Sequence, residues 1–506
     1  MKRILYIFLA GISFTAVSCK KSFLDVPPQG QLTEDIFLAN ESMIDQWVNR
    51  IYGTISWREF RIGQQWFSVR EMGADDFTPG LGSGSMATDL KVFQDYAHTP
   101  STELYVERYW SRTFQNLNFC NQVTDVTPGF KDQTIAKKAE AQAKYFRAFY
   151  YFELVNIFGK VPLRDHVPVP AEYDIPVSSE DTIYAQIIKD LEYAVDNLPT
   201  RAEWGTAGLG HVTKGTAQGL LAKVYLFRQN YAKAQEYANS VMTSGEYSLE
   251  PDYRNIFSPA NPYSVENMMP GHFSYNTAIA FGRTWNPYIE YQGINGQFGN
   301  GFVYPSESLV NSYETGDPRR TATIFNSGEV VEGFKSNAAI NIPNGYKYAN
   351  KKIIWPFSYW KEGTFMQQEI NQLFLRYADV ILIYAEASNE LGQSGNALQA
   401  LEKVRFRARG NKTFAEAGIL PEITETGKEA LREIIWHERR IELAMEGHRW
   451  FDLLRYNAVV PGYTENLLKN TYGRTNFSYT KYSRYPIPFA ILATSNGILV
   501  QNDAWK

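Results

Sequence analysis

Apolar residues return at three- and four-residue steps along most of the chain, a period that predicts helices. The pattern is clearest over Gln133–Phe158, where Ala136, Ala139, Ala143, Phe146 and Tyr150 make one stripe. Gly159 stops it and Pro162 lies just beyond. Thr33–Ser56, Thr102–Val123 and Gly427–Tyr456 are likewise expected to be helical. "SSED" (Ser178–Asp181) has the form of a capping box ahead of Ile183, Ile187, Leu191, Ala194 and Leu198, with Pro199 after the run. Thr213–Tyr247 and Leu373–Gly410 each predict a helix, a short turn and a second helix, with small residues where the helices touch. Both look like tetratricopeptide units of about 34 residues without their Trp-Leu-Gly signature. Such hairpins normally stack into a scaffold with a concave face.

Between Glu250 and Glu369 the period lapses. Gly, Pro, Asn and aromatic residues dominate, as in "FSYNTAIAFGRTWNPYIEYQGINGQFGNGFVYPS" and "IIWPFSYWKEGTFMQQE". Loops with short strands or helical turns are expected there. Long irregular segments are usually functional or disordered, and the aromatic content argues against disorder. The expected fold class is mainly α: a tetratricopeptide-like helical-hairpin scaffold carrying a loop-rich, irregular subregion.

Composition adds two points. The 506 residues are 44% hydrophobic and 21% charged, a globular balance with length for a large core or two to three domains. A net charge of -4 gives no sign of a nucleic-acid binder, which needs a concentrated basic face. The 11 Trp, 33 Tyr and 31 Phe must largely fill the core, yet they also allow rings at the surface, where each offers a flat platform.

The first residues read as a signal. Lys2 and Arg3 precede the apolar run Ile4–Val17, which is short for a membrane span, then Ser18 and Cys19. This is the layout of a lipoprotein signal peptide over residues 1–18, cut before Cys19, whose thiol takes a diacylglycerol. Residues 19–35, with Pro27-Pro28 and Gly30, form an extended tether. Removing 1–18 takes Lys2 and Arg3, leaving 48 basic against 54 acidic residues, or -6. With Cys19 lipidated, Cys120 has no intrachain disulfide partner.

Familiar catalytic and cofactor motifs are absent. "HERRI" has Ile441 where a zinc motif needs its second His, and His437 and His448 lack further ligands. "GLGSGS" (Gly80–Ser85) has Ser in place of the last dinucleotide-motif glycine. No P-loop or G-x-S-x-G occurs. No cofactor, no metal and no catalytic residue is expected. In "ERRIELAMEGHRWFDLLR", Glu438, Glu442 and Glu446 recur every four residues beside Arg439, Arg440 and Arg449, which reads as an ion-pair ladder along a helix.

Several segments, taken together and in order, resemble one family. They are "SCKKSFLDVPPQG", "ADDF" (Ala74–Phe77), "YFELVNIFGKVPL" (Tyr151–Leu163), "LLAKVYLF", "LRYADVILIYAEASNELG", "HERRIELAMEGHRWFDLLR" (His437–Arg455), "YPIP" (Tyr485–Pro488) and "QNDAW" (Gln501–Trp505). This series is similar to the SusD/RagB family of nutrient-binding outer-membrane lipoproteins of Bacteroidetes-type bacteria, over residues 19–505. The resemblance implies a SusD-like fold. It divides the chain into an N-terminal helical region (36–249), a loop-rich ligand-binding insertion (250–369) and a C-terminal helical region (370–506). It also implies a non-enzymatic protein at the cell surface that takes part in polysaccharide utilisation. The implied partners are an oligo- or polysaccharide, the outer membrane through the lipid anchor, and a SusC-like TonB-dependent transporter. A peptide ligand on the same architecture is the alternative, and a glycan hydrolase a further one.

Sugar rings lay apolar faces on Trp and Tyr while their hydroxyls need polar edges. The candidate ligand contacts are therefore Trp285, Asn286, Tyr288 and Tyr291 in "TWNPYIEY", and Trp355, Tyr359 and Trp360 in "WPFSYW". Asp75 and Asp76 of "ADDF" join them because the family places that motif near its ligand face, and Trp66 precedes it. Asn295, Gln297 and Asn300 supply further polar candidates, while Trp436 and Trp450 are assigned to the core.

Overall fold

The computed structural model describes residues 40, 43–56, 63–80, 86–100, 104–271, 287–360 and 369–506. Twelve helices of eight or more residues are found among them. They are α1 (Ile44–Ser56), α2 (Gly63–Arg70), α3 (Met86–Gln94), α4 (Leu104–Val126), α5 (Gln133–Phe158), α6 (Glu180–Asn197), α7 (Lys214–Phe227), α8 (Tyr231–Thr243), α9 (Tyr377–Glu390), α10 (Ser394–Ala408), α11 (Lys428–Glu442) and α12 (Arg449–Val459). Helices α4 to α10 pack each against the next in chain order, as stacked antiparallel hairpins do, and α11 closes against α9 and α10. The fold is thus mainly α with a tetratricopeptide-like scaffold, as the hydrophobic period indicated.

Local signals account for the ends of these helices. Asp132 caps α5 by accepting from the backbone N–H of Thr134 and Ile135, and Gly159 ends it at φ 76°. Ser179, within "SSED", caps α6 through the Thr182 N–H. The periodic stripe understates the burial of α5. From Ala141 to Phe158 every residue except Lys144 is buried, because α4 and α6 flank this helix on both sides.

Two helical expectations need correcting. Leu373–Arg376 belongs to a strand, β6 (Gln372–Arg376), which pairs antiparallel with β2 (Asn267–Gly271), so the second hairpin begins only at Tyr377. Gly427–Tyr456 is two helices, because residues 443–448 break the run with Met445 at φ 65° and Gly447 at φ 79°. A Cβ on Gly447 would stand 2.0 Å from the Trp66 ring, so only glycine permits this close approach. Two further ribbons, β1 (Phe77–Pro79) with β3 (Val303–Pro305) and β4 (Ile324–Asn326) with β5 (Tyr348–Asn350), lie in or reach into the irregular middle segment.

The acidic residues of α11 do not form a ladder with their own helix. Their partners come from other elements. Arg376 of β6 is fully buried and binds Glu266, Glu442 and Glu446. Arg407 of α10 binds Glu266 and Glu442, and Arg319 binds Asp317, Glu438 and Glu442. Lys352 reaches Glu446 at 2.7 Å. Burial alone would raise the Glu442 pKa, but Arg407, Arg376 and Arg319 together hold its carboxyl below the ordinary range. This network fastens the irregular segment to the helical scaffold. His448 accepts from the Lys223 ammonium at 3.1 Å inside the same core.

His98 supplies a pH-dependent element. It is 4% exposed, within about 6 Å of the rings of Phe93, Tyr482, Tyr485 and Trp505, and neither ring nitrogen is bonded among the described residues. Burial, with Lys481 nearby, pushes its pKa down to about 3. The unfolded chain therefore binds a proton here between about pH 6.5 and pH 3 that the folded protein does not, and stability falls as pH drops through that window. His98→Phe is expected to relieve about 3 kcal/mol of the destabilisation at pH 4 and to change little at pH 7.5. Urea titrations of both proteins at the two pH values check this.

Candidate ligand-binding face

The segment Asn350–Trp360 is built from two tight turns. Asn350 caps the first by accepting from the Lys352 N–H at 3.0 Å, and Pro356 begins the second, Phe357–Tyr359. Pro356, of fixed φ, and a capped turn hold the four aromatic residues in place with little chain entropy left to lose. Trp355 points inward. Its indole N–H donates to the Lys352 carbonyl at 2.9 Å, and the Arg254 guanidinium lies 4.1 Å from its ring.

The chain then turns outward. Phe357 is 40% exposed, while Tyr359 and Trp360 are half-buried. Trp360 packs at 5.1 Å on Phe357, 5.2 Å on Phe334 and 5.2 Å on Phe298, so three rings support it. Polar groups border this cluster. Gln297 donates to the Asn341 carbonyl at 3.1 Å and accepts from the Lys335 ammonium at 3.0 Å. Lys335, Ser336 and Asn337 are exposed and all adopt left-handed backbone, at φ 45°, 55° and 63°. Three such residues in a row cost on the order of 1 kcal/mol each, a kind of strain that clusters at ligand clamps. The Asn337 side chain steadies the loop by accepting from the Gly333 N–H at 2.7 Å. The result is an open aromatic face with an amide and an ammonium at its edge.

Of the candidates read from the sequence, Tyr359, Trp360 and Gln297 come together here. Asn295 and Asn300 are half-buried nearby on the same 293–301 turn. Trp285, Asn286 and Cys19 lie outside the described residues. The others are corrected. Tyr288 and Tyr291 are 3% and 0% exposed and both stack on Phe67, at 5.7 and 5.6 Å, so they join the short helix Pro287–Gln292 to α2. Trp66 is 1% exposed, against the Gly447 turn. Trp355 is buried under Arg254.

Asp75 and Asp76 are buried as well. Asp75 receives Arg449 at 2.8 Å and Arg440 at 3.0 Å, and Asp76 receives Arg440 at 2.7 Å. Burial would raise both, but Arg449 and Arg440 hold Asp75 well below the carboxylate range. Burial dominates at Asp76, and with Asp75 beside it the balance stays upward despite Arg440. These carboxylates clamp α11 and α12 to the N-terminal region instead of meeting a ligand. Phe357, Phe334 and Lys335 are candidates that only the structure brings to this face.

Two open clefts lie away from this face. A cavity of about 530 Å³ opens between α4 and the C-terminal segment, beside Trp110, Phe114, Tyr173 and Leu499. Another of about 700 Å³ lies beside Tyr377, Leu398 and Phe406. Neither is lined by a residue of the 355–360 face. Among the described residues no helix is long and apolar enough to cross a membrane.

Comparison with known proteins agrees with this architecture. Residues 225–505 match the SusD family, and residues 22–226 match a family described as starch-binding and associating with the outer membrane. The chain belongs to the SusD family. A SusD-like protein of Formosa agariphila is 27% identical, with 97% of each chain covered. A solved laminarin-binding SusD-like protein is 25% identical, covers 92% of this chain and 99% of its own, and superposes with a TM-score of 0.75. Surface glycan-binding protein A of Bacteroides thetaiotaomicron, solved with laminarihexaose, is 22% identical, covers 91% and 99%, and has a TM-score of 0.74.

Proposed function

We propose that this protein is a lipid-anchored, surface-facing outer-membrane lipoprotein that captures oligosaccharides and delivers them to a SusC-like TonB-dependent transporter. One observation carries the reading: Phe357, Tyr359 and Trp360 stand at the surface on a capped, proline-braced segment, beside the strained Lys335–Asn337 loop and Gln297. Exposed rings take the apolar faces of sugars, and the amide and ammonium at the edge take hydroxyls. Trp285 and Asn286 are proposed as further contacts from the sequence alone. Solved relatives that bind laminarin or laminarihexaose support a glycan ligand. The Cys19 signal supports the anchor.

The role is capture without cleavage. The test is affinity electrophoresis and calorimetry of the mature protein against a panel of polysaccharides and a peptide pool, with product analysis of the mixtures. Retardation by at least one polysaccharide with no shorter products is expected. Binding confined to peptides, or release of shorter sugars that one Asp or Glu substitution abolishes, would overturn it.

A further inference from the structure

The cavity of about 610 Å³ next to the aromatic face has an unusual charge balance. One acid, Asp252, lines it against five cations: Arg254, Arg319, Lys351, Arg407 and Arg409. Four of the five are neutralised by carboxylates. Arg319 and Arg407 belong to the buried network around Glu442, Lys351 pairs with Glu329, and Arg409 with Glu402. Arg254 differs. Its Nη1 donates to the carbonyls of Ala322, at 3.3 Å, and Lys351, and its Nη2 to that of Ile354. Among the described residues it forms no ion pair.

Three carbonyls fix the position of a guanidinium without cancelling its charge. Burial, only partly opposed by Asp252 and Glu329, pushes the Arg254 pKa down to about 10. Guanidinium has five N–H groups in a fork matched to carboxylate and sulfate. Its Nε hydrogen and one Nη2 hydrogen remain unused among the described residues. The same guanidinium lies on Trp355, whose ring is 6.1 Å from that of the half-exposed Tyr359.

We propose that this cavity is a subsite for a fixed anionic group, a sulfate or a carboxylate, carried by the polysaccharide held at the 355–360 face, with Arg254 as its contact. The proposal rests on the capture reading and narrows the ligand class to charged glycans. A ligand spanning both places stacks on Tyr359 and Trp360 while its anionic substituent reaches past Trp355 to Arg254.

Calorimetry of the mature protein tests it with polygalacturonate, a sulfated galactan, their carboxyl-reduced and desulfated forms, laminarin and inorganic sulfate. At least one charged polymer is expected to bind about tenfold tighter than its neutralised form, the scale of one charge-assisted contact. Arg254→Gln should remove that preference. Because Arg254 also holds three carbonyls, Thr321→Glu provides a second variant. Thr321 is exposed at the cavity lining, and a carboxylate there should weaken the charged polymer about tenfold while leaving the neutral form within about twofold. Equal affinity for charged and neutralised polymers would overturn the subsite and leave capture intact. So would inorganic sulfate binding that depends on Arg254 while the polymers show no preference. If no polymer of either kind binds, the capture reading falls and the subsite with it.

Discussion

Phe357→Ala is expected to weaken oligosaccharide binding about tenfold, and the Phe357→Ala/Trp360→Ala pair about a hundredfold, with little loss of stability from the first change. Phe357 is 40% exposed in the free protein, so its truncation removes little that the fold uses. Covered by a sugar, the ring buries apolar area at roughly 25 cal/mol per Å² and adds a stacking contribution of about 1 kcal/mol, near a factor of ten in all. Trp360 adds a second ring of the same kind but packs on Phe298 and Phe334, so its variant also loosens the loop that carries Lys335. Tyr291→Ala is the control, because it deletes a wholly buried ring stacked on Phe67. It should cost about 3–5 kcal/mol of stability. In material that remains folded, affinity should stay near wild type. Calorimetry for binding and urea titration for stability separate the two effects. Unchanged affinity in the Phe357 variant would remove the ring from the site.

Glu442→Gln is expected to destabilise the protein by about 3–5 kcal/mol, a large share of the stability of an ordinary domain. The carboxylate is fully buried and accepts from Arg376 at 2.6 Å, Arg319 at 3.0 Å and Arg407. An amide of the same shape keeps the packing but leaves three buried guanidiniums one charge short, and it adds two hydrogens that face donors. The lowered pKa gives a matching pH dependence. The contribution of Glu442 is complete above the ordinary carboxylate range and is lost as pH falls through and below about 4. Glu307→Gln provides the contrast. Its pair with Lys347, at 2.7 Å, has both side chains about two-thirds exposed, and losing it should leave the unfolding midpoint close to wild type. Midpoints of urea unfolding for the two variants check the difference. Similar shifts would mean that the buried network contributes no more than a surface pair.

The ease of reading each feature from the sequence tracks how local its cause is. Helix α5 was legible at both ends because its cap, its period and its stop lie within the segment. Strand β6 was read as helix because "LFLRYADVIL" is apolar enough for either, and what decides is pairing with β2 about a hundred residues upstream. The break between α11 and α12 depends on left-handed Met445 and Gly447 packed under Trp66, a contact spanning most of the chain. At the proposed face, composition singled out 355–360 and its rings Tyr359 and Trp360, but it did not separate the buried Trp355 from the exposed Phe357. Whether Trp355 or Phe357 faces outward is settled by Arg254, and whether Asp75 meets ligand or scaffold is settled by Arg449. Residue type signals what a side chain is able to bind, and only tertiary neighbours decide whether it is free to do so.

Where the ligand sits is the central claim, and a footprint tests it most directly. Hydroxyl-radical labelling of the mature protein, with and without a polysaccharide that it binds, reports the exposure of each aromatic ring. The account predicts protection concentrated at Phe357, Tyr359 and Trp360, with Phe334 and Lys335 at the edge and Tyr173 and Phe489 unchanged. Protection at Tyr173 and around the cavity between α4 and the C-terminal segment, with Phe357 and Trp360 labelled as in the free protein, would contradict it.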